Sequence, residues 1–404
     1  NGGYWKADLY DASSAKTTIT GPAVTVAKQH ISLNRVGTTV KLYVDGVGGT
    51  GVTWAHTLNA KGVTIGNAWE AATRGFVGKI NEVLMYTHGI RTTNFTPPAR
   101  AFPDSSCSFT AWLQTQSLPA VRYAHAAALL SDGRVLITGG VDGVDSTPDC
   151  YIGTMSGNSV AWAASTSLPV KRHDHTGIRL LDGRILVTGG QNGVMARSES
   201  YIGTVSGGSI SWVASTNLSG ARYRHTATLL SDGRVLITGG NDGYNVRHEC
   251  YIGTVSGDSI TWVASNNLPV FRYRHTATLL PDGRVLITGG HDGNAFKSDC
   301  YIGTVSGDSI TWVASNNLPA VVSEHTATIL NDGRVLIVGG WYSSGQRLEC
   351  SRGTVSGNSI TWEASIDLPD ARSSHTSALL PGGSVLVVGG YAGGSVVADC
   401  LISA

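Results

Sequence analysis

Six histidines recur fifty residues apart, at His125, His175, His225, His275, His325 and His375. Three residues ahead of five of them stands an arginine, at Arg122, Arg172, Arg222, Arg272 and Arg372, with Val322 breaking the set. Imidazoles ligate metals and carry protons. Guanidinium groups grip carboxylates and sulfates in bidentate fashion. Acidic side chains accompany them: Asp142, Asp145, Asp242, Asp292, Glu324 and Asp370. Two of these could form the carboxylate pair of a glycosidase or lyase. A further group is aromatic or polar: Tyr123, Tyr223, Tyr273, Tyr244, Asn245, His291, Trp341, Tyr342 and Tyr391. A few such groups, well placed, orient a polar ligand. Which of these chemistries is open depends on the elements that carry the residues.

Those elements repeat. "SDGRVLITGG" stands at 131–140 and again at 231–240, with near-copies at 181, 281, 331 and 381. Copies of the whole unit begin at Leu118, Leu168, Leu218, Leu268, Leu318 and Leu368. Each offers four short strand candidates of the type "HTATLL", "RVLITGG", "CYIGTVS" and "SITWVAS", joined by Gly-containing turns. Four strands at a period near 50 make one blade of a β-propeller. The sixth copy stops after three strands, while "FTAWLQTQS" at 109–117 puts Trp112 in register with Trp162, Trp212, Trp262, Trp312 and Trp362. The prediction is an all-β fold: a six-bladed propeller closed by its N-terminal strand, which leaves no free sheet edge at the seam. The Gly-Gly ending strand two, the "HTATLL-DGRVLITGG" run and the recurrent Trp resemble kelch-repeat, galactose-oxidase-type propellers over 107–404. That resemblance implies a fold and leaves function open, because such propellers host enzymes, adhesins and scaffolds.

The copies also differ, and on one face. The turns between strands one and two, and between three and four, barely vary. The connections between strands two and three diverge ("VDGVDSTPD", "QNGVMARSE", "NDGYNVRHE", "HDGNAFKSD", "WYSSGQRLE", "YAGGSVVAD"), as do those leading into strand one. Antiparallel strands put the constant turns on one rim and the divergent ones on the other. Binding concentrates in loops held by a rigid scaffold. The candidate ligand-binding set is therefore Arg122, Arg172, Arg222, Arg272, Arg372, Tyr123, Tyr223, Tyr273, Tyr244, His291, Trp341, Tyr342 and Tyr391. For the arginines two readings stand: a basic collar at the channel mouth, or ties between a loop and the neighbouring blade. The histidines read as structural donors, since a ring of equivalent positions around a wide channel does not give a metal its short ligand distances. No metal and no catalytic residue is assigned. Cys150, Cys250, Cys300, Cys350 and Cys400 share one position, too far apart from blade to blade to bridge, and are expected to be buried thiols.

The bulk composition agrees. Charged residues are 14%, hydrophobic residues 41% and the net charge is +1. Nothing points to nucleic acid or a membrane surface, and no apolar run approaches the ~20 residues of a membrane span. With neither an initiator Met nor a signal pattern at Asn1, the expectation is that the chain begins within a longer precursor. Residues 1–97 do not share the repeat. "HISLNRVGTTVKLYVDGV" (30–47) alternates and then turns at Asp45-Gly46, a hairpin signal. "LYVDG", "TIGN" and "GFVGKINEVLMYTHGI" resemble the C-terminal part of a laminin-G-like, concanavalin-A-type jelly roll. The resemblance implies carbohydrate or cell-surface binding, with calcium in some members; no other cofactor is expected. The Pro- and Ser-rich 98–106 reads as a linker.

No zinc-protease motif, nucleophile elbow or phosphate loop is present. The Tyr, Cys and His set of copper radical oxidases finds no match, since the repeat accounts for the recurrent cysteines. The leading expectation is a non-enzymatic recognition protein, binding glycans or a cell-surface receptor and set in a phage virion (tail fibre, receptor-binding or decoration protein) or on a bacterial surface. A polysaccharide-active enzyme using the same face, and a scaffold contacting other subunits, are the alternatives. Reduced thiols would suit a protein assembled in a cytosol and released.

Overall fold

The computed structural model describes residues 111–403 throughout and, before them, the backbone of eight strands between residues 4 and 86. The chain divides into two compact units, 1–104 and 105–404. In the first, Tyr4–Asp11 lies between Lys16–Ala23 and Leu58–Gly66 in an antiparallel sheet. Ile31–Val36 and Thr39–Val44 pair in a second sheet, and Val44 pairs with Val47. The rest of this unit lies outside the described residues, and with it the expected laminin-G-like sandwich, its calcium and the linker.

The second unit is a six-bladed β-propeller. Blade 1 runs from centre to rim as Ala126–Leu129, Val135–Thr138, Cys150–Ser156 and Ser159–Ser165. Blades 2 to 4 repeat it at fifty-residue steps, and blade 5 does so with longer strands, Val335–Tyr342 and Gly345–Ser356. Blade 6 holds Thr376–Leu379, Val385–Ala392 and Ser395–Ser403, and its outer strand is Trp112–Thr115 from the other end of the repeat array. Cys400 pairs with Thr115 and Ser403 with Trp112, so the ring closes as its sequence predicts.

Burial follows position in the blade. The second strand, "VLIT" in blade 1, is buried at every residue. A strand covered on both faces needs continuous β-branched and aliphatic side chains. The outer strand Ser159–Ser165 instead alternates in burial, with one face toward solvent. The core lies between blades rather than within them. Leu136, Cys150 and Ile152 of blade 1 pack on Leu168, Ile185 and Val187 of blade 2. Equivalent clusters fill all six junctions, including the seam, where Leu118, Val135 and Ile137 meet Leu386, Cys400 and Ile402. Each recurrent Cys is therefore a small core residue, and none is bridged. Burial pushes Cys150, Cys250, Cys300, Cys350 and Cys400 up to about 12.

The recurrent Trp and the Gly-Gly pair have mechanical reasons. Trp162 Nε1 donates to Gln116 O at 3.1 Å, and Trp112 does the same to Ile366 O at 3.0 Å, so each outer strand is tied to the chain leaving the previous blade. Gly139 has φ +56°, and a Cβ there would sit 2.5 Å from the carbonyl oxygen of Arg172 in the next blade. Gly140 has φ +102°, and its Cβ would meet Tyr123 O at 2.9 Å. Only glycine lets the backbones approach so closely.

Candidate functional site

The two rims differ in kind. On the constant rim, Asp132 accepts hydrogen bonds from the backbone N–H and Nε of Arg134, whose Nη1 reaches Gly207 O in the next blade at 2.7 Å. Arg184 reaches Asp258, Arg234 reaches Asp308, and Arg284 reaches Asn358 in the same way. The invariant turns thus clasp neighbouring blades, which explains their constancy. Blade 6 has Gly382 and Ser384 in place of that Asp and Arg.

On the opposite rim the divergent loops converge. Isolated bridges join the segment leading into strand one to the segment leaving strand two: Tyr123 to Val141, His173 to Gln191, Tyr223 to Asn241, Tyr273 to His291 and Ser323 to Trp341. The next residue of each copy is Ala124, Asp174, Arg224, Arg274, Glu324 or Ser374, and each has φ between 51° and 56°. Left-handed backbone at a non-glycine residue costs about 1–2 kcal/mol and persists only where the surroundings impose it. Here a closed cycle of hydrogen bonds imposes it. Asp174 N donates to Ala124 O, Arg224 N to Asp174 O, Arg274 N to Arg224 O, Glu324 N to Arg274 O, Ser374 N to Glu324 O and Ala124 N to Ser374 O, at 2.8–3.1 Å. One residue from every blade contributes, so this ring encircles the propeller axis and forms its mouth.

The ring's backbone is symmetric and its side chains are not. Asp174 pairs with Arg224 at 2.9 Å and accepts from Gln191 Nε2 at 3.1 Å. Diametrically opposite, Glu324 pairs with Arg274 at 2.6 Å and accepts from Ser374 Oγ at 2.6 Å. The Arg224 guanidinium lies 5.5 Å from the Tyr223 ring centre, and that of Arg274 lies 5.4 Å from Tyr273. Tyr123 meets Tyr391 edge-on at 6.1 Å. Burial pushes the Tyr123 and Tyr223 phenols above their usual range. From Tyr273 an aromatic row runs outward through His291 and Phe296 to Tyr342, with centroid spacings of 5.5, 4.8 and 6.3 Å. Burial pushes the His291 imidazole down. The mouth therefore presents two opposed carboxylates, each paired with an arginine on an adjacent blade, framed by phenols.

The structure thus brings Tyr123, Tyr223, Tyr273 and Tyr391 together around the axis. It sets His291 and Tyr342 along the row, with Trp341 bridged to Ser323, and places Tyr244 on an outer loop tip at 92% exposure. The arginines are a correction. Arg122, Arg172, Arg222, Arg272 and Arg372 are 0–3% exposed and form no collar. Arg122 Nη1 donates to Gly139 O at 2.8 Å, and its guanidinium lies over Tyr151 at 4.7 Å. The next three repeat this with Gly189, Gly239 and Gly289, and with Tyr201, Tyr251 and Tyr301. Arg372 reaches Gly389 O. Each holds its loop against its own blade, while its backbone carbonyl accepts from a glycine N–H of the blade before, Arg172 from Gly140 for instance. The fifth copy loses both partners, with Val322 buried and Ser351 in the place of the tyrosine. The histidines are 5–6% exposed, and each Nε2 bonds a threonine of the preceding blade, as His175 does Thr138 at 2.9 Å. Burial pushes His125, His225 and His325 down to about 3. Among the described residues no cluster could hold a metal.

Residues that sequence reading left unassigned include Asp174, Arg224 and Arg274 at the mouth, and Phe271, Phe296 and His248 around it. One signal was available. The letter between the aromatic and the invariant His reads A, D, R, R, E, S along the copies, a variable letter beside an invariant one.

Fold and mouth together define a β-propeller with an asymmetric polar rim. No family model matches the sequence, and no curated protein matches it. In three dimensions a solved structure described as "Structure of YjhT" is similar, with a TM-score of 0.60 over 72% of this chain and 97% of that one, at 16% identity. The likeness is one of fold.

Proposed function

We propose that the propeller is a recognition module whose divergent rim binds a glycan or a cell-surface receptor. The observation that carries this is where symmetry breaks. The six blades agree in core and ring backbone, and four of them in the clasp to the next blade; they part company at side chains of one rim and its axial mouth. Drift alone would not order phenols and paired charges into one mouth, and Tyr244 at 92% exposure has no scaffold task to explain it. The setting we propose is a surface assembly such as a virion fibre or decoration protein, or a bacterial cell surface. Five buried, unbridged cysteines fit assembly in a reducing compartment before release. Every residue assigned to the mouth and rim lies between Tyr123 and Tyr391.

The test is a glycan array and a cell-binding assay on the whole chain, followed by chromatography of each bound glycan. Binding without products, weakened by Arg274→Ala or Tyr223→Ala, supports recognition. Released products would assign the same face to a glycan-active enzyme. Binding that ignores both substitutions would remove the rim from the account.

A further inference from the structure

A cleft of about 500 Å³ opens between blades 3 and 4, away from the axis, lined by Tyr244, Asn245, His248, Phe271, Asp292 and Asn294 among others. That volume lies within the roughly 300–1,000 Å³ of small-ligand sites. Three of its features come from separate places in the repeat. Position 244 is Tyr here and Val144, Val194, Asn294, Ser344 and Gly394 in the other copies. Position 248 is His here and Pro148, Ser198, Ser298, Leu348 and Ala398 elsewhere. Position 271 is Phe here and Val121, Lys171, Ala221, Val321 and Ala371 elsewhere. Phe271 belongs to the loop leading into blade 4, and that loop is tied to blade 3 by Leu268 N donating to His248 O at 2.8 Å. Three independent departures from the repeat therefore meet at one junction.

Their geometry makes a platform. Phe271 stacks on His248 with centroids 4.0 Å apart and planes 9° from parallel, and His248 Nε2 is 3.2 Å from Asn267 Nδ2. Phe271 nonetheless keeps 48% exposure, and Tyr244 keeps 92%. The side-chain amides of Asn245 and Asn294 make no hydrogen bond among the described residues, so both carry free donors and acceptors at the cleft. The charges there are paired within the protein: Arg247 with Asp242 and Glu249, Lys297 with Asp292. Two cations against three carboxylates leave no unpaired positive group for an anion.

Open aromatic rings, free amides and the lack of a spare cation select a polar ligand without negative charge and with an apolar face. We infer that this cleft is a subsite for a neutral pyranose ring, packed against both Tyr244 and Phe271 and hydrogen-bonded by Asn245 and Asn294. The inference rests on the recognition reading and gives that rim a sugar class and an address.

The test is saturation-transfer NMR and calorimetric titration of the whole chain with the methyl α-pyranosides of glucose, galactose and mannose, and with methyl glucuronide as the anionic comparator. We expect at least one neutral pyranoside to bind, with transfer strongest to the C–H protons of one ring face. Tyr244→Ala and Phe271→Ala each weaken it at least tenfold, about 1.4 kcal/mol, and Leu181→Ala, an exposed change on the constant rim, leaves it within twofold. Tyr244 is almost fully exposed, so its variant keeps the fold, which the far-UV spectrum checks. The assignment is overturned by no neutral pyranoside binding, by tighter glucuronide binding, or by affinity that survives Tyr244→Ala. A protein partner lost on Tyr244→Ala without any pyranoside binding overturns it too. The broader reading fails separately, when the unaltered chain binds neither the array nor cells.

Discussion

Two arginines, two residues apart, should behave as opposites. Arg222 is 3% exposed, donates to Gly239 O at 2.9 Å and lies 5.1 Å from the Tyr251 ring centre. Arg224 sits at the mouth with 22% of its side chain exposed and pairs with Asp174. Replacing Arg222 by Ala removes a charge-assisted hydrogen bond from a buried carbonyl, about 1.5–3 kcal/mol. It also removes a desolvated cation–π contact, about 1–2 kcal/mol. Part of a buried stem goes with them, so a loss of roughly 3–5 kcal/mol is expected for Arg222→Ala. Arg224→Ala removes a partly exposed ion pair and should cost about 1 kcal/mol or less. Urea unfolding followed by tryptophan fluorescence reads both. With a slope of ~3 kcal/mol/M, Arg222→Ala should lower the midpoint by about 1 M or more, and Arg224→Ala by a few tenths. Ligand binding should show the reverse order, lost for Arg224→Ala and kept by the folded fraction of Arg222→Ala. Equal midpoint shifts, or binding lost specifically through Arg222, would refute the division between scaffold and mouth.

Three further outcomes follow from the same geometry. His125, His225 and His325 are held neutral down to about pH 3 while the unfolded chain takes up protons near 6.5. Their stability contribution is therefore present above pH 6.5 and lost as pH falls toward 3; urea midpoints should drop across this window, and His225→Gln should shallow the slope by up to about 1.4 kcal/mol per pH unit. A flat profile from pH 7 to 4 would contradict this. Iodoacetamide at mildly alkaline pH should leave Cys150, Cys250, Cys300, Cys350 and Cys400 unlabelled in the native chain, because burial pushes them up to about 12; peptide mapping of any of these as an adduct would refute it. Gly207→Ala meets nothing within 4 Å and should cost about 1 kcal/mol for its positive φ, whereas Gly189→Ala places a Cβ 2.5 Å from Arg222 O and should cost several times more in the same urea assay.

The repeat made most of the fold legible. Period, turn chemistry and the missing outer strand of the last copy specify six blades and their closure, and the pairing of Cys400 with Thr115 follows from them. The mouth was less legible, because sequence gives the face but not the depth. Arg222 and Arg224 look alike on paper. Only the backbone twist at φ 53° turns one inward under Gly239 and the other toward the axis. Recurrence was itself the warning: an arginine kept in five copies serves the blade, while a position that reads five different residues over six copies is free to serve a ligand. The cleft at blades 3 and 4 was hidden for another reason, since Phe271 and His248 are 23 positions apart and meet only because each loop leans on the preceding blade.

The most direct test of the recognition rim is a hydrogen-exchange footprint of the whole chain, with and without the array glycan that binds it tightest. Slowed exchange is expected in 141–147, 191–197, 241–249 and 291–297 and in the segments leading into strand one, with the constant turns at 131–134, 181–184 and 231–234 unchanged. Protection centred on those constant turns, with the divergent loops unaltered, would contradict it.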